Sequence, residues 1–147
     1  MRPVRLSIAA DPANVRVARL VAVALARSRG YAEPVVDDVR LAVGEACGRA
    51  VLTHLDGGVD APVVVELAGD DEGLAISVTD ADPADGDTPV ITLQGDSGDP
   101  ADLAAEGIYL VDAVAVVGGV ADHLDVRQGP DGTTLAMRWA PVESLPD

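Results

Sequence analysis

Lysine is absent from this 147-residue chain, cysteine occurs once, and no apolar run near its start approaches the length of a membrane span. Each shortage excludes something. One cysteine, Cys47, forms no internal disulfide, so the fold must rest on its core. Its place on the apolar side of a helical pattern fits a buried, inert thiol in a reduced cytoplasmic protein. The longest apolar run near the start, Leu20 to Ala26, is far short of the ~20 residues that cross a bilayer. The arginine-containing N-terminus leads into a strand pattern instead of a signal-peptide core. The expectation is a protein that is neither membrane-spanning nor exported. Internal repeats and true low-complexity tracts are missing as well.

Positive charge is scarce and unevenly placed. All ten basic residues are arginine, against 25 acidic ones, for a net charge of -15. Between Val51 and Val126 there are seventeen Asp and Glu and no Lys or Arg. A surface this negative repels phosphate backbones, which argues against direct nucleic-acid binding, and draws in a basic protein partner by long-range attraction. The alternative is acidity that only keeps the protein soluble.

What is present is a regular succession of elements. At this length a single domain is expected, burying about two-thirds of the surface that its unfolded chain exposes. Val4 to Ala9 reads as a short strand. Asp11-Pro12 supplies an N-cap and first-turn proline for a helix to about Arg29, with Val15, Ala18, Leu20, Val21, Ala22 and Leu25 on its apolar side. Gly30 ends it, and Pro34 opens a second helix that runs to about Leu55. Val63 to Ala68 and Leu74 to Thr79 form a hairpin. Asp80 to Asp102, with three prolines and seven aspartates, reads as a long lid-like loop with a brief extended piece at Val90 to Leu93. Leu103 to Val117 is helical, and Val120 to Arg127 and Thr133 to Trp139 make a second hairpin around Gly129-Pro130-Asp131-Gly132. This order predicts an α+β two-layer sandwich: one mixed, mainly antiparallel sheet with helices on one face.

The second helix holds the residue of greatest chemical interest. Val39, Ala42, Val43, Ala46, Cys47 and Ala50 recur at three- and four-residue steps as a buried stripe, and Glu45 sits at its edge between Leu41, Gly48 and Leu52. A carboxylate there is desolvated unless a polar, cationic or metallic group meets it, which is how functional carboxylates are set up. Arg49, four residues on, offers the other outcome, a helical ion pair contributing roughly 0.3 kcal/mol. Spacing alone leaves both open. His54 and His123 read as ordinary polar or edge residues.

Gly-Glu-Ala-Cys-Gly-Arg-Ala-Val at 44–51, Val-Thr-Asp-Ala-Asp-Pro-Ala at 78–84, Ala-Glu-Gly-Ile-Tyr-Leu-Val at 105–111 and Asp-Gly-Thr-Thr-Leu at 131–135 together resemble the anti-sigma-factor serine kinases. That family lies within the GHKL, or Bergerat-fold, ATPases, and the likeness runs in order along nearly the whole chain. The resemblance implies ATP as cofactor. It implies Glu45 as the general base that takes a proton from a serine or threonine hydroxyl. It further implies Asp80 as acceptor for the adenine amino group, Thr134 as support for that aspartate, and Gly107 as a close backbone approach to the phosphates. The sequence departs from the family at Arg49, which stands where a magnesium-binding asparagine is expected; a guanidinium has no lone pair for a metal. Asp82, Ala84 and Ala105 replace glycines. Two outcomes follow for Arg49: it supplies part of the metal's charge to a triphosphate, or it folds onto Glu45 and closes the pocket. No metal site is expected.

The resemblance implies an anti-sigma regulator that sequesters a sigma factor and is released by an anti-anti-sigma protein, commonly as a dimer. An active serine kinase acting on the anti-anti-sigma partner is the second reading, and a degenerate interaction module the third. The acidic middle of the chain agrees with the first, because sigma factors carry basic surfaces.

Overall fold

The computed structural model describes residues 3–83, 91–94 and 108–142. Its elements are β1 (Val4–Ile8), a 3-10 turn (Pro12–Asn14), α1 (Val15–Ser28), α2 (Glu33–Gly57), β2 (Val63–Asp70), β3 (Gly73–Thr79), β4 (Ile91–Gln94), α3 (Ile108–Val120), β5 (His123–Gly129) and β6 (Gly132–Trp139). The two-layer α+β arrangement expected from the sequence is the one found. The sheet has six strands in the order β1-β2-β3-β6-β5-β4, and every pairing is antiparallel, so the mixed character expected is absent among the described residues.

Local chemistry accounts for the boundaries. The Asp11 side chain accepts a hydrogen bond from the Ala13 N–H at 2.9 Å, opening the turn that leads into α1. α2 ends at Gly58, whose φ of 64° is the left-handed conformation that terminates helices. The brief extended piece near Val90 is β4, an edge strand paired with β5 from Ile91 opposite Val126 to Gln94 opposite His123. The rest of the expected lid-like loop beyond Pro83, and the expected start of the third helix at Leu103, lie outside the described residues.

Buried side chains alternate along the strands, with Val63, Val65 and Leu67, then Leu74, Ile76 and Val78, then Leu135, Met137 and Trp139, all on the face that the helices cover. α2 lies between α1 and α3 in the helical layer. Ala18, Ala22 and Ala26 of α1 and Ala42, Ala46 and Ala50 of α2 are buried at four-residue steps, small side chains that allow two helices to approach closely. All six stripe residues expected for α2 are buried. Leu20, assigned to the apolar side of α1, is instead 58% exposed, as are Val4 and Val17 in large part. It falls two residues from both Ala18 and Ala22, on the flank of α1 turned away from α2.

Candidate functional site

Three elements converge where β3 ends. Asp80 follows the last residue of β3, Thr133 is near the start of β6 beside it, and the C-terminal part of α2 lies over both. Asp80 is 1% exposed. Its Oδ1 accepts hydrogen bonds from the Asp82 N–H at 2.9 Å and the Thr133 N–H at 3.3 Å, and its Oδ2 meets Arg49 Nη1 at 2.5 Å. Its own N–H donates to the Thr133 carbonyl at 3.0 Å. Close donors and a buried cation surround this carboxylate, the arrangement that makes burial of an ion tolerable.

Arg49 therefore does not take the second course expected of it. It does not fold onto Glu45; its partner is Asp80, across the gap between α2 and the sheet. The alternative of a local Glu45–Arg49 pair is thereby overturned, because the guanidinium is turned inward to the stronger, desolvated acceptor. Arg49 Nε is buried with no partner among the described residues, so the guanidinium is not fully satisfied. Glu45, one turn earlier and about 6 Å along the helix, is half-buried on the same side of α2 and has no hydrogen bond or ion pair among the described residues. Glu45 and Arg49 thus share one side of α2, and Arg49 is the one that meets Asp80.

Thr134 requires a correction by one position. Successive residues of a strand point to opposite faces, and Thr134 points away from Asp80: its hydroxyl meets Thr79 Oγ1 at 2.9 Å on the face without helices. The residue that meets Asp80 is Thr133, through its main-chain N–H and carbonyl, while its side chain is buried on the core face with Leu135, Met137 and Trp139. Alternation in the sequence marks Thr133 as buried, whereas its main-chain bonds to Asp80 follow from β6 pairing beside β3. Gly132, just before, has φ of 126°, and a Cβ there would stand 1.9 Å from the Asp80 carbonyl oxygen, so only glycine lets β6 come this close. Gly107, Ala84 and Ala105 lie outside the described residues.

His54 is also not the edge residue expected. It is buried, and its ring joins three segments: Nδ1 meets the Ala61 carbonyl at 2.9 Å, and Nε2 meets the Ala81 N–H at 2.8 Å. A backbone N–H can only donate, so Nε2 is the acceptor and Nδ1 carries the proton that the Ala61 carbonyl accepts. His54 continues the buried stripe of α2 from Cys47, Ala50 and Val51, a spacing signal that the sequence did contain. His123 is half-buried beside Asp125, at 3.3 Å.

The polar cluster can fix the end of β3 against α2. It does not fit magnesium and ATP in the usual manner. The carboxylate implied for adenine is enclosed and engaged by three donors, and the position implied for the metal ligand is a cation. Among the described residues no group of three or more His, Cys, Asp and Glu is arranged to hold a metal ion.

The histidine kinase-like ATPase domain matches residues 8–139, nearly the whole described fold. The crystal structure of the RsbU and RsbW domains of Rv1364c from Mycobacterium tuberculosis is similar over all of this chain, with a TM-score of 0.66 and 18% sequence identity. The chain spans about 35% of the length of that protein chain, and the likeness is one of fold. No curated protein matches this sequence. No helix among the described residues is long and apolar enough to cross a membrane. With strand order, helical layer and family pattern in agreement over the same residues, this chain belongs to the histidine kinase-like ATPase domain family, the GHKL fold.

Proposed function

We propose that this protein is an anti-sigma regulator of a partner-switching circuit, acting by protein binding and not by phosphotransfer. The observation that carries the reading is the buried Arg49–Asp80 pair. It joins the two positions that the sequence resemblance assigns to metal and adenine, and a purine amino group reaches Asp80 only after the guanidinium leaves. The motif likeness to the anti-sigma kinases, the fold likeness to a structure containing an RsbW domain and the net charge of -15 support the same reading. A sigma factor with a basic surface is the partner, and an anti-anti-sigma protein releases it. The protein works in the cytoplasm as a homodimer, to which exposed Val4, Val17 and Leu20 contribute.

The test is retention of a sigma factor by the purified chain without nucleotide, alongside calorimetric titration with ATP in the presence and absence of magnesium. Sigma retention with no magnesium-dependent ATP binding is expected; failure to retain any sigma factor overturns the reading. Glu45, half-buried and unpaired among the described residues, favours a second reading, in which the chain is a serine kinase once Arg49 is displaced. Transfer of labelled phosphate from ATP to a partner serine, abolished in Glu45→Ala, would establish it. Arg49→Asn should then strengthen magnesium-dependent nucleotide binding.

A further inference from the structure

Away from this site, a cavity of about 320 Å³ opens where the start of α2 meets the end of β6. Tyr31, Val35, Trp139 and Val142 form apolar walls, and Asp38 and Asp122 stand among them. The donors in these walls are engaged. Tyr31 Oη donates to the Ala140 carbonyl at 2.9 Å, Trp139 Nε1 donates to the Val120 carbonyl at 3.1 Å, and the Ala140 N–H donates to Asp122 Oδ2 at 2.7 Å. Desolvation raises the Tyr31 phenol above its usual range, opposed by a backbone hydrogen bond at Leu74 and the Arg29 charge and assisted by the Asp122 charge, so this wall is partly dry.

What the cavity still offers is acceptor capacity and negative charge. Asp38 is half-buried and has neither hydrogen bond nor ion pair among the described residues. Of the arginines nearest to it in sequence, Arg40 is held by Asp37 and Arg29 lays its stem over Gly69, while Arg27 is held by Glu33 at 3.0 Å. We infer that this cavity is an anchoring site for an arginine side chain of a basic protein partner. The aliphatic stem lies along Val35 and Val142, and the planar guanidinium stacks by the aromatic wall and meets Asp38. An anionic ligand is repelled, and a neutral apolar one leaves Asp38 desolvated and unpaired. The chain's own residues 143–147 add two carboxylates and no cation, so charge disfavours them as occupant.

Trp139 is the chain's single tryptophan, so it reports on this cavity alone. The probe is acetyl-Leu-Arg-Leu-amide, titrated at 0.15 M salt and followed by tryptophan fluorescence and the indole N–H resonance, against the same peptide with citrulline, a neutral isostere. Saturable binding of the arginine peptide is expected, at least tenfold weaker for citrulline and at least tenfold weaker in Asp38→Asn. Ala32→Phe, at an exposed residue lining the cavity, fills the space without changing charge and should abolish binding while circular dichroism confirms the fold. Equal binding of the two peptides, or arginine binding that survives Ala32→Phe, overturns the inference and assigns the attraction to the acidic surface at large. Sigma-factor retention is scored separately, so either proposal can fail without the other.

Discussion

Up to Cys47, α2 buries Val36, Val39, Ala42, Val43, Ala46 and Cys47 and no charged side chain; beyond it, the same helix buries Arg49 and His54 beside Ala50 and Val51. Exposure is near zero in both parts, so depth alone does not decide which residues a helix can bury. The difference is the neighbour. The first part lies among aliphatic side chains, whereas the second faces the end of β3, where a carboxylate and two free backbone groups at Ala61 and Ala81 require partners. Dry packing holds one part and directional hydrogen bonds hold the other.

Asp80→Ala should break the polar part most severely. It leaves Arg49 buried without its anion and the N–H groups of Asp82 and Thr133 without an acceptor, for a loss of about 3–5 kcal/mol in urea unfolding. Arg49→Met with Asp80→Asn closes a double-mutant cycle, and coupling of about 0.5–3 kcal/mol is expected for groups in contact. Coupling near zero would mean that the pair does not hold the two elements together.

His54→Ala comes next. It removes an acceptor from the Ala81 N–H and a donor from the Ala61 carbonyl, and unsatisfied buried groups of this kind cost about 1–3 kcal/mol each. A loss of about 2–3 kcal/mol is expected, together with faster hydrogen exchange at the Ala81 amide, which a pure packing defect would not single out. Val43→Ala, in the dry part, removes two methyl groups' worth of burial and should cost about 2 kcal/mol. A cost equal to that of Asp80→Ala would erase the contrast between the two parts.

The two parts were also unequally legible. Periodicity gave the stripe from Val39 to Ala50 without error, because apolar burial repeats with the helix. It placed Glu45 at the edge of that stripe, where it is. It could not show that Arg49 reaches Asp80, since a contact across 31 residues depends on how the strands are ordered. Thr134 was chosen over Thr133 by motif likeness, although the alternation through Leu135, Met137 and Trp139 marked the odd positions as buried. His54 was underrated for a similar reason: its spacing pointed inward, and its polarity argued outward until the partners at Ala61 and Ala81 were known. Leu20 failed the other way, as an apolar residue within an apolar run that faces solvent.

The smallest effect tests how dry the first part of α2 is. Burial pushes the Cys47 thiol up from 9.0 to about 12, against a minor opposing influence from Arg19. The unfolded chain therefore releases this proton near its ordinary value while the folded protein retains it. The stabilising contribution is complete below pH 9 and is lost as pH rises toward 12, at up to about 1.4 kcal/mol per pH unit. Cys47→Ala removes that slope and leaves the ionisation of every other group in place. Urea unfolding of both proteins at pH 8 and pH 10 should show the advantage of cysteine over alanine shrinking by about 1 kcal/mol. A thiol reagent at pH 8 should react with the native chain only at the rate of unfolding. An advantage that does not change with pH would place water at Cys47, and the distinction between a dry part and a hydrogen-bonded part of α2 would then have no physical basis.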